Sequence, residues 1–235
     1  MTSSTKKNST NVKRIFNRIS SKYDFLNNLL SFGLHNLWKK NLINLLKPKN
    51  GERWADLCCG TGDLSFLISK KVFPHGYVIG IDSAQEILNI ARNKSKRIDK
   101  SLIDWRKEDV FKIDESQKFD GICMSYGLRN LESVEKGLKK IFCLLKRNGR
   151  AGILDFNHPK EYTIYSIFQK IYLRFIVVPI ASLFKLRDEY RYIENSLKVF
   201  PSGSNLISIS KGIGFKEAHY KTICAGQMGI LILRK

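Results

Sequence analysis

The sequence predicts an α/β fold: a doubly wound, mostly parallel sheet with an antiparallel C-terminal hairpin strand, N-terminal helices and a helical insertion. Three observations predict it. Between residues 51 and 156, short strand-like runs alternate with amphipathic helical stretches, a pattern that builds a parallel sheet with right-handed crossovers and helices on both faces. The first such run leads into "DLCCGTGD" (56–63), a glycine turn at the strand end where open parallel sheets bind ligands. The last two runs, "EAHYKTI" and "MGILILRK", are joined only by "CAGQ", so they pair as a hairpin and hence antiparallel.

Each element follows from its pattern. Residues 1–11 are polar. From Val12 the apolar positions Ile15, Ile19, Tyr23, Leu26 and Leu30 recur at helical spacing, with Arg14, Arg18 and Lys22 on another face. A second helix runs from about Leu34 to Leu46 and stops before Pro48, so residues 12–47 form an N-terminal helical unit. Then come strand "RWADL" (53–57), helix 64–71, strand "GYVIGID" (76–82), helix 84–98 and a short strand near "LIDWR". Strand "FDGICMSY" (119–126), a helix over about 133–146 and strand "RAGILDF" (150–156) complete the alternation. Ser83 and Glu86 form an S-x-x-E capping box for the helix that begins there. The long amphipathic stretch 157–200 is an insertion, and the whole chain, 1–235, reads as one domain.

Composition narrows the function classes. The formal charge of +20 invites nucleic acid or an anionic membrane surface, yet the lysines come in ones and twos, which reads equally as a solvated basic surface. No signal-peptide core opens the chain, and the longest apolar run, "FIVVPIASLF" (175–184), is too short to span a bilayer. Five cysteines, an odd number, fit a reducing, cytoplasmic compartment. Cys58 and Cys59 have no second pair to complete a zinc site, so no metal is expected.

Which ligand do the glycines hold? A dinucleotide fingerprint needs a third glycine where Ser65 stands, and Asp63 would oppose a pyrophosphate at the helix start. No lysine follows to make a phosphate-cradling P-loop. A cationic ligand reverses the argument. S-adenosylmethionine carries a sulfonium and an ammonium, which Asp56 and Asp63 can attract while Gly60 and Gly62 admit its close approach. Asp82 ends the second strand, placed to accept from both ribose hydroxyls. Glu108 and Asp109 follow the third strand, placed for the adenine edge.

With these residues assembled, the chain resembles a class I S-adenosylmethionine-dependent (Rossmann-like) methyltransferase, and more narrowly the C-methyltransferases of ubiquinone and menaquinone biosynthesis. The likeness rests on "RIFNRISSKYDFLNNLLSFGLHNLWKK", "SYGLRNL" after the fourth strand and "FPSGSNLISISKGIGF" near the end. "DLCCGTGD" and "YRYIENSLKVFPSG…GQMGILILRK" look most like the cyanobacterial-type branch, which methylates 2-phytyl-1,4-naphthoquinone to give phylloquinone. Two departures stand out: cysteines at 58 and 59 where the bacterial form has two small residues, and "LKRNGR" in place of a Leu-Lys-Pro-Gly-Gly turn. The resemblance implies cofactor contacts at Thr61, Asp82, Glu108, Asp109 and Ser125. It implies a prenylated naphthoquinol substrate, with demethylmenaquinol or a ubiquinone-pathway quinol as alternatives.

The chemistry then asks for groups that assist loss of a quinol proton and stabilise the resulting oxyanion. Arg129 and Asn130 are the candidates after the fourth strand, and Tyr23, Asp24 and His35 those in the N-terminal helices. An arginine is too weak an acid to serve as a free base, so Arg129 is expected to stabilise an anion or orient water. The apolar faces of the insertion and N-terminal helices suit a tail channel and peripheral contact with a membrane face. Core packing or a homodimer contact would use the same faces. An RNA substrate is a remote alternative. The fourth strand lacks the Asn/Asp/Ser-Pro-Pro-aromatic element of base-amino methylation, and no proline precedes Cys123 to make the cytosine-C5 nucleophile. No nucleic acid is expected.

Overall fold

The computed structural model describes residues 14, 17, 23–31, 33–96, 103–157, 196–197, 199–224 and 226–235. Two helices lead the chain, α1 (Tyr23–Ser31) and α2 (Leu34–Leu46). The alternating part follows as β1 (Arg53–Leu57), α3 (Asp63–Val72), β2 (Tyr77–Asp82), α4 (Gln85–Ser95), β3 (Ile103–Lys107), β4 (Phe119–Ser125), α5 (Val134–Leu144) and β5 (Leu145–Phe156). Then come α6 (Gly203–Ile213), β6 (Glu217–Ile223) and β7 (Met228–Arg234). The predicted helix over 12–22, the end of the helix beyond residue 96 and the insertion from 158 to 195 lie outside the described residues.

The seven strands form one sheet in the order β3-β2-β1-β4-β5-β7-β6. The first five pair in parallel, and β7 runs antiparallel between β5 and β6. Strand order reverses between β1 and β4, where the crossovers leave in opposite directions and open a crevice at the carboxyl ends.

Side chains that alternate along the strands build a core on each face. Trp54, Val78 and Cys123 point to one side, with Leu42 and Leu46 of α2 and Ile68 and Val72 of α3. Ala55, Ile79 and Ile122 point to the other, with Leu138, Ile141 and Leu144 of α5 and Leu206 of α6. The Trp54 indole passes over Gly121, where an added Cβ would run into its ring.

The structure corrects two local expectations and shows one further element. α4 starts with Ala84 as its N-cap and no side-chain cap, so the Ser83–Glu86 box does not form. Asp82 takes that place instead, its Oδ1 accepting from Ala84 N at 2.9 Å. Helix α5 ends at Leu144 and β5 begins at once, with its register shifted against β4 between Phe119 and Gly121. The "LKRNGR" stretch is thus an irregular strand entry, with Asn148 left-handed at φ 63°. Finally, "GSNLISISKGI" is α6, capped by Ser202 and closed by left-handed Gly214 at φ 114°.

Candidate functional site

A small, open pocket lies at the crevice between β1 and β4, lined by Lys39, Asp56, Cys58, Cys59, Thr61, Asp63, Leu64, Ser125 and Tyr126. The glycine loop forms its floor. Gly60 and Gly62 are left-handed, at φ 56° and 88°. At Gly62 a side chain would also meet the Trp105 ring, so this turn tolerates only glycine. Cys58 adopts the same region at φ 56°, an unusual conformation for a residue with a Cβ, and a Cβ on Gly127 would lie 2.7 Å from its own. Small side chains are what this corner accepts.

The acids divide into distinct roles. Asp56 is 1% exposed and accepts from Ser65 N at 3.0 Å, Ser65 Oγ at 2.6 Å and the Cys123 thiol at 3.4 Å. Burial pushes its pKa up to about 6, against the pull of the Ser65 and Cys123 hydrogen bonds. Asp63 opens α3 and is engaged by two cations, Lys39 at 2.7 Å and Lys94 at 3.4 Å. Although burial acts to raise its pKa, those ammoniums hold it below the ordinary value. Asp63 is therefore not a bare carboxylate awaiting an ammonium. Asp82 Oδ2 accepts from Gly60 N at 2.9 Å, which ties the end of β2 to the glycine loop. Glu108 N donates to the Asp82 carbonyl, and Asp109 caps the short turn Val110–Lys112 by accepting from Phe111 N at 3.1 Å.

The N-terminal helices close on this loop. Thr61 Oγ1 donates to Asp24 of α1 at 2.7 Å, and Lys94 of α4 reaches the same carboxylate at 2.6 Å. Tyr23 begins α1, but its side chain lies outside the described residues. His35 is buried, with Nδ1 2.9 Å from Ser31 Oγ; burial first, then the Lys39 charge, lowers its pKa.

After β4, Arg129 is 4% exposed. Its backbone N and Nε donate to Asp155 at 3.0 and 3.4 Å, its Nη1 donates to Ser196, and its guanidinium lies over the Phe156 ring at 5.1 Å. Asn130 Nδ2 donates to the Tyr126 carbonyl at 2.8 Å and braces the turn. Burial raises the Cys58, Cys59 and Cys123 thiols well above their usual range, so they are protonated and unsuited to nucleophilic attack.

Sequence reasoning missed Lys39, Lys94, Asp155 and Trp105. One signal was available: Lys39 shares a helical stripe with His35, Leu42 and Leu46, a lysine on an apolar face.

The pocket residues fit S-adenosylmethionine. Ser125 Oγ is buried without a hydrogen-bond partner among the described residues and lines the pocket, a polar atom that a ligand would satisfy. The carboxylates and one ammonium around it suit a zwitterionic, cationic ligand. The two lining thiols, Cys58 and Cys59, are held protonated by burial and add no charge.

Comparison with known proteins agrees. The chain is 38% identical over 226 residues to 2-phytyl-1,4-naphthoquinone methyltransferase of Nostoc punctiforme, covering 95% of this chain and 98% of that protein. It is 36% identical over 228 residues to the chloroplastic 2-phytyl-1,4-beta-naphthoquinone methyltransferase of Arabidopsis thaliana, covering 95% and 87%. The fold matches magnesium protoporphyrin IX methyltransferase of Synechocystis, solved with bound S-adenosylmethionine, with a TM-score of 0.66 at 14% identity over the full length of both chains. It also matches a methyltransferase from Aquifex aeolicus with a TM-score of 0.59 at 16% identity, covering 83% of this chain and 88% of that one. The family model of the ubiE/COQ5 methyltransferases spans residues 4–235, and the chain belongs to the ubiE/COQ5 methyltransferase family.

Proposed function

We propose that the chain transfers the methyl group of S-adenosylmethionine to a ring carbon of reduced 2-phytyl-1,4-naphthoquinone. The observation that carries this reading is near-full-length similarity, at 36–38% identity, to proteins named for that reaction. The pocket at the β1–β4 crevice supports it.

When bound, S-adenosylmethionine supplies an electrophilic methyl on a sulfonium. The chain's own residues hold, align and shield. Thr61, Asp82 and the Glu108–Asp109 pair would hold the ribose and adenine side, with Ser125 and the glycine loop beside the pocket. Asp56, inside the floor, supplies negative potential toward the sulfonium end. Alignment and exclusion of water do most of the work in such a displacement. A quinone ring carbon is electrophilic, whereas the quinol, after losing a hydroxyl proton, is nucleophilic at the adjacent carbon. Arg129, whose charge Asp155 matches, orders the turn after β4, and Asn130 in that turn and Tyr23 at the start of α1 are the candidates for polar contact with that oxyanion.

A phytyl tail brings the substrate to a bilayer, and peripheral contact through the N-terminal helices fits this. Phe25 is 53% and Leu37 61% exposed there, beside exposed Lys40, on a chain of charge +20. Among the described residues no helix is long and apolar enough to cross a membrane.

The test offers methyl-tritiated S-adenosylmethionine with the reduced phytyl compound, demethylmenaquinol and RNA as separate acceptors. The expected result is fastest labelling of the phytyl acceptor. Faster labelling of demethylmenaquinol would move the reading to the menaquinone substrate, and label in RNA alone would overturn it.

A further inference from the structure

We infer that Lys39 receives the carboxylate of the cofactor's methionine end, with Asp63 holding the Lys39 ammonium in place; this rests on the S-adenosylmethionine reading of the site. An amino-acid end needs a cation for its carboxylate as well as an anion for its ammonium. Among the pocket's lining residues, Lys39 is the cation. It is 5% exposed, on the face of α2 that also buries Leu42 and Leu46, where an ammonium is costly without ionic partners.

Asp63 engages one of its three donors, at 2.7 Å, and the Tyr126 ring lies 5.8 Å from Nζ. Asp63 also shares its charge with Lys94 at 3.4 Å, so Lys39 does not have that carboxylate to itself. A second carboxylate entering the pocket would complete its pairing. Lys94 is the weaker candidate: it is 32% exposed, lies outside the pocket lining and holds Asp24 at 2.6 Å. Ser125 Oγ, buried in the same lining and unpartnered among the described residues, independently indicates that this pocket awaits a polar ligand.

The experiment compares dissociation constants for S-adenosylmethionine and its decarboxylated analogue, which keeps the sulfonium and ammonium but lacks the carboxylate. Titrations use the full chain, as wild type, Lys39→Met, Lys39→Arg and the double variant Lys39→Met/Asp63→Asn. Wild type is expected to prefer the carboxylated ligand by about 10-fold to 100-fold, the range for a hydrogen bond to a charged group. In Lys39→Met that preference falls to near one, because affinity for the carboxylated ligand drops and that for the analogue does not. Lys39→Arg keeps most of the preference. The double variant removes both members of a buried pair, which is tolerated better than removing one, so it serves if Lys39→Met does not fold. Equal weakening of both ligands in Lys39→Met would overturn the inference and leave Lys39 as a tie between α2 and α3. A wild type that binds both ligands equally would also overturn it. Binding of neither by wild type would instead refute the cofactor reading.

Discussion

Asp56 shows how a site carboxylate departs from a surface one. Burial raises its pKa to about 6, above the unfolded value, so the folded state binds its proton more tightly. Its contribution to stability is present below the unfolded pKa and lost as pH rises through about 6. Replacing it with Asn is expected to raise the ligand-free melting temperature relative to wild type at pH 8, with the difference vanishing near pH 4; paired thermal melts at both values check this. The same variant is expected to bind S-adenosylmethionine more weakly at pH 8. Arg129 presents the opposite case, a buried cation matched by a buried anion. Asp155→Ala leaves the guanidinium uncompensated and is expected to destabilise the fold by about 3–5 kcal/mol in chemical denaturation. The glycine loop was legible in the sequence because its chemistry is local, five residues from Cys58 to Gly62. Lys39, Lys94 and Asp155 were not, since their partners lie 24, 31 and 26 residues away and only the folded chain brings them together.

Among the elements, the two N-terminal helices matter because they reach the cofactor loop by polar contacts. Asp24 of α1 receives both Thr61 and Lys94, but it is 41% exposed, so the ion pair itself adds little stability, about 0–1 kcal/mol. Asp24→Ala is therefore expected to leave the melting temperature nearly unchanged. It would speed proteolytic cleavage around α1 and weaken cofactor binding severalfold, as limited proteolysis and titration would show. Helix α2 was legible to the residue because its apolar stripe is strong and Pro48 stops it. The capping box failed because Ala84, not Ser83, is the N-cap, and the Glu86 N–H that the box would satisfy donates to Asn17 Oδ1 at 3.2 Å. The early start of β5 was missed because the stretch 145–150 is polar and irregular, and its pairing with Phe119 is a long-range choice. Helix α6 is hard to read from the sequence because its serines weaken the helical pattern.

At the scale of the whole molecule, the order of strands places everything else. The reversal between β1 and β4 opens the crevice, the glycine loop floors it, and the N-terminal helices cover its rim. The alternation of strand and helix fixed this architecture before any contact was known, and the parallel pairing of the first five strands matched it. The central claim concerns chemistry, a methyl transferred to an electron-rich quinol carbon. Its most direct test is methyl transfer from tritiated S-adenosylmethionine to 2-phytyl-1,4-naphthoquinone, measured with and without a chemical reductant. Labelling on carbon that appears only when the acceptor is reduced is the predicted result. Equal labelling of the oxidised quinone, or none of the quinol by an enzyme that binds its cofactor, would contradict it.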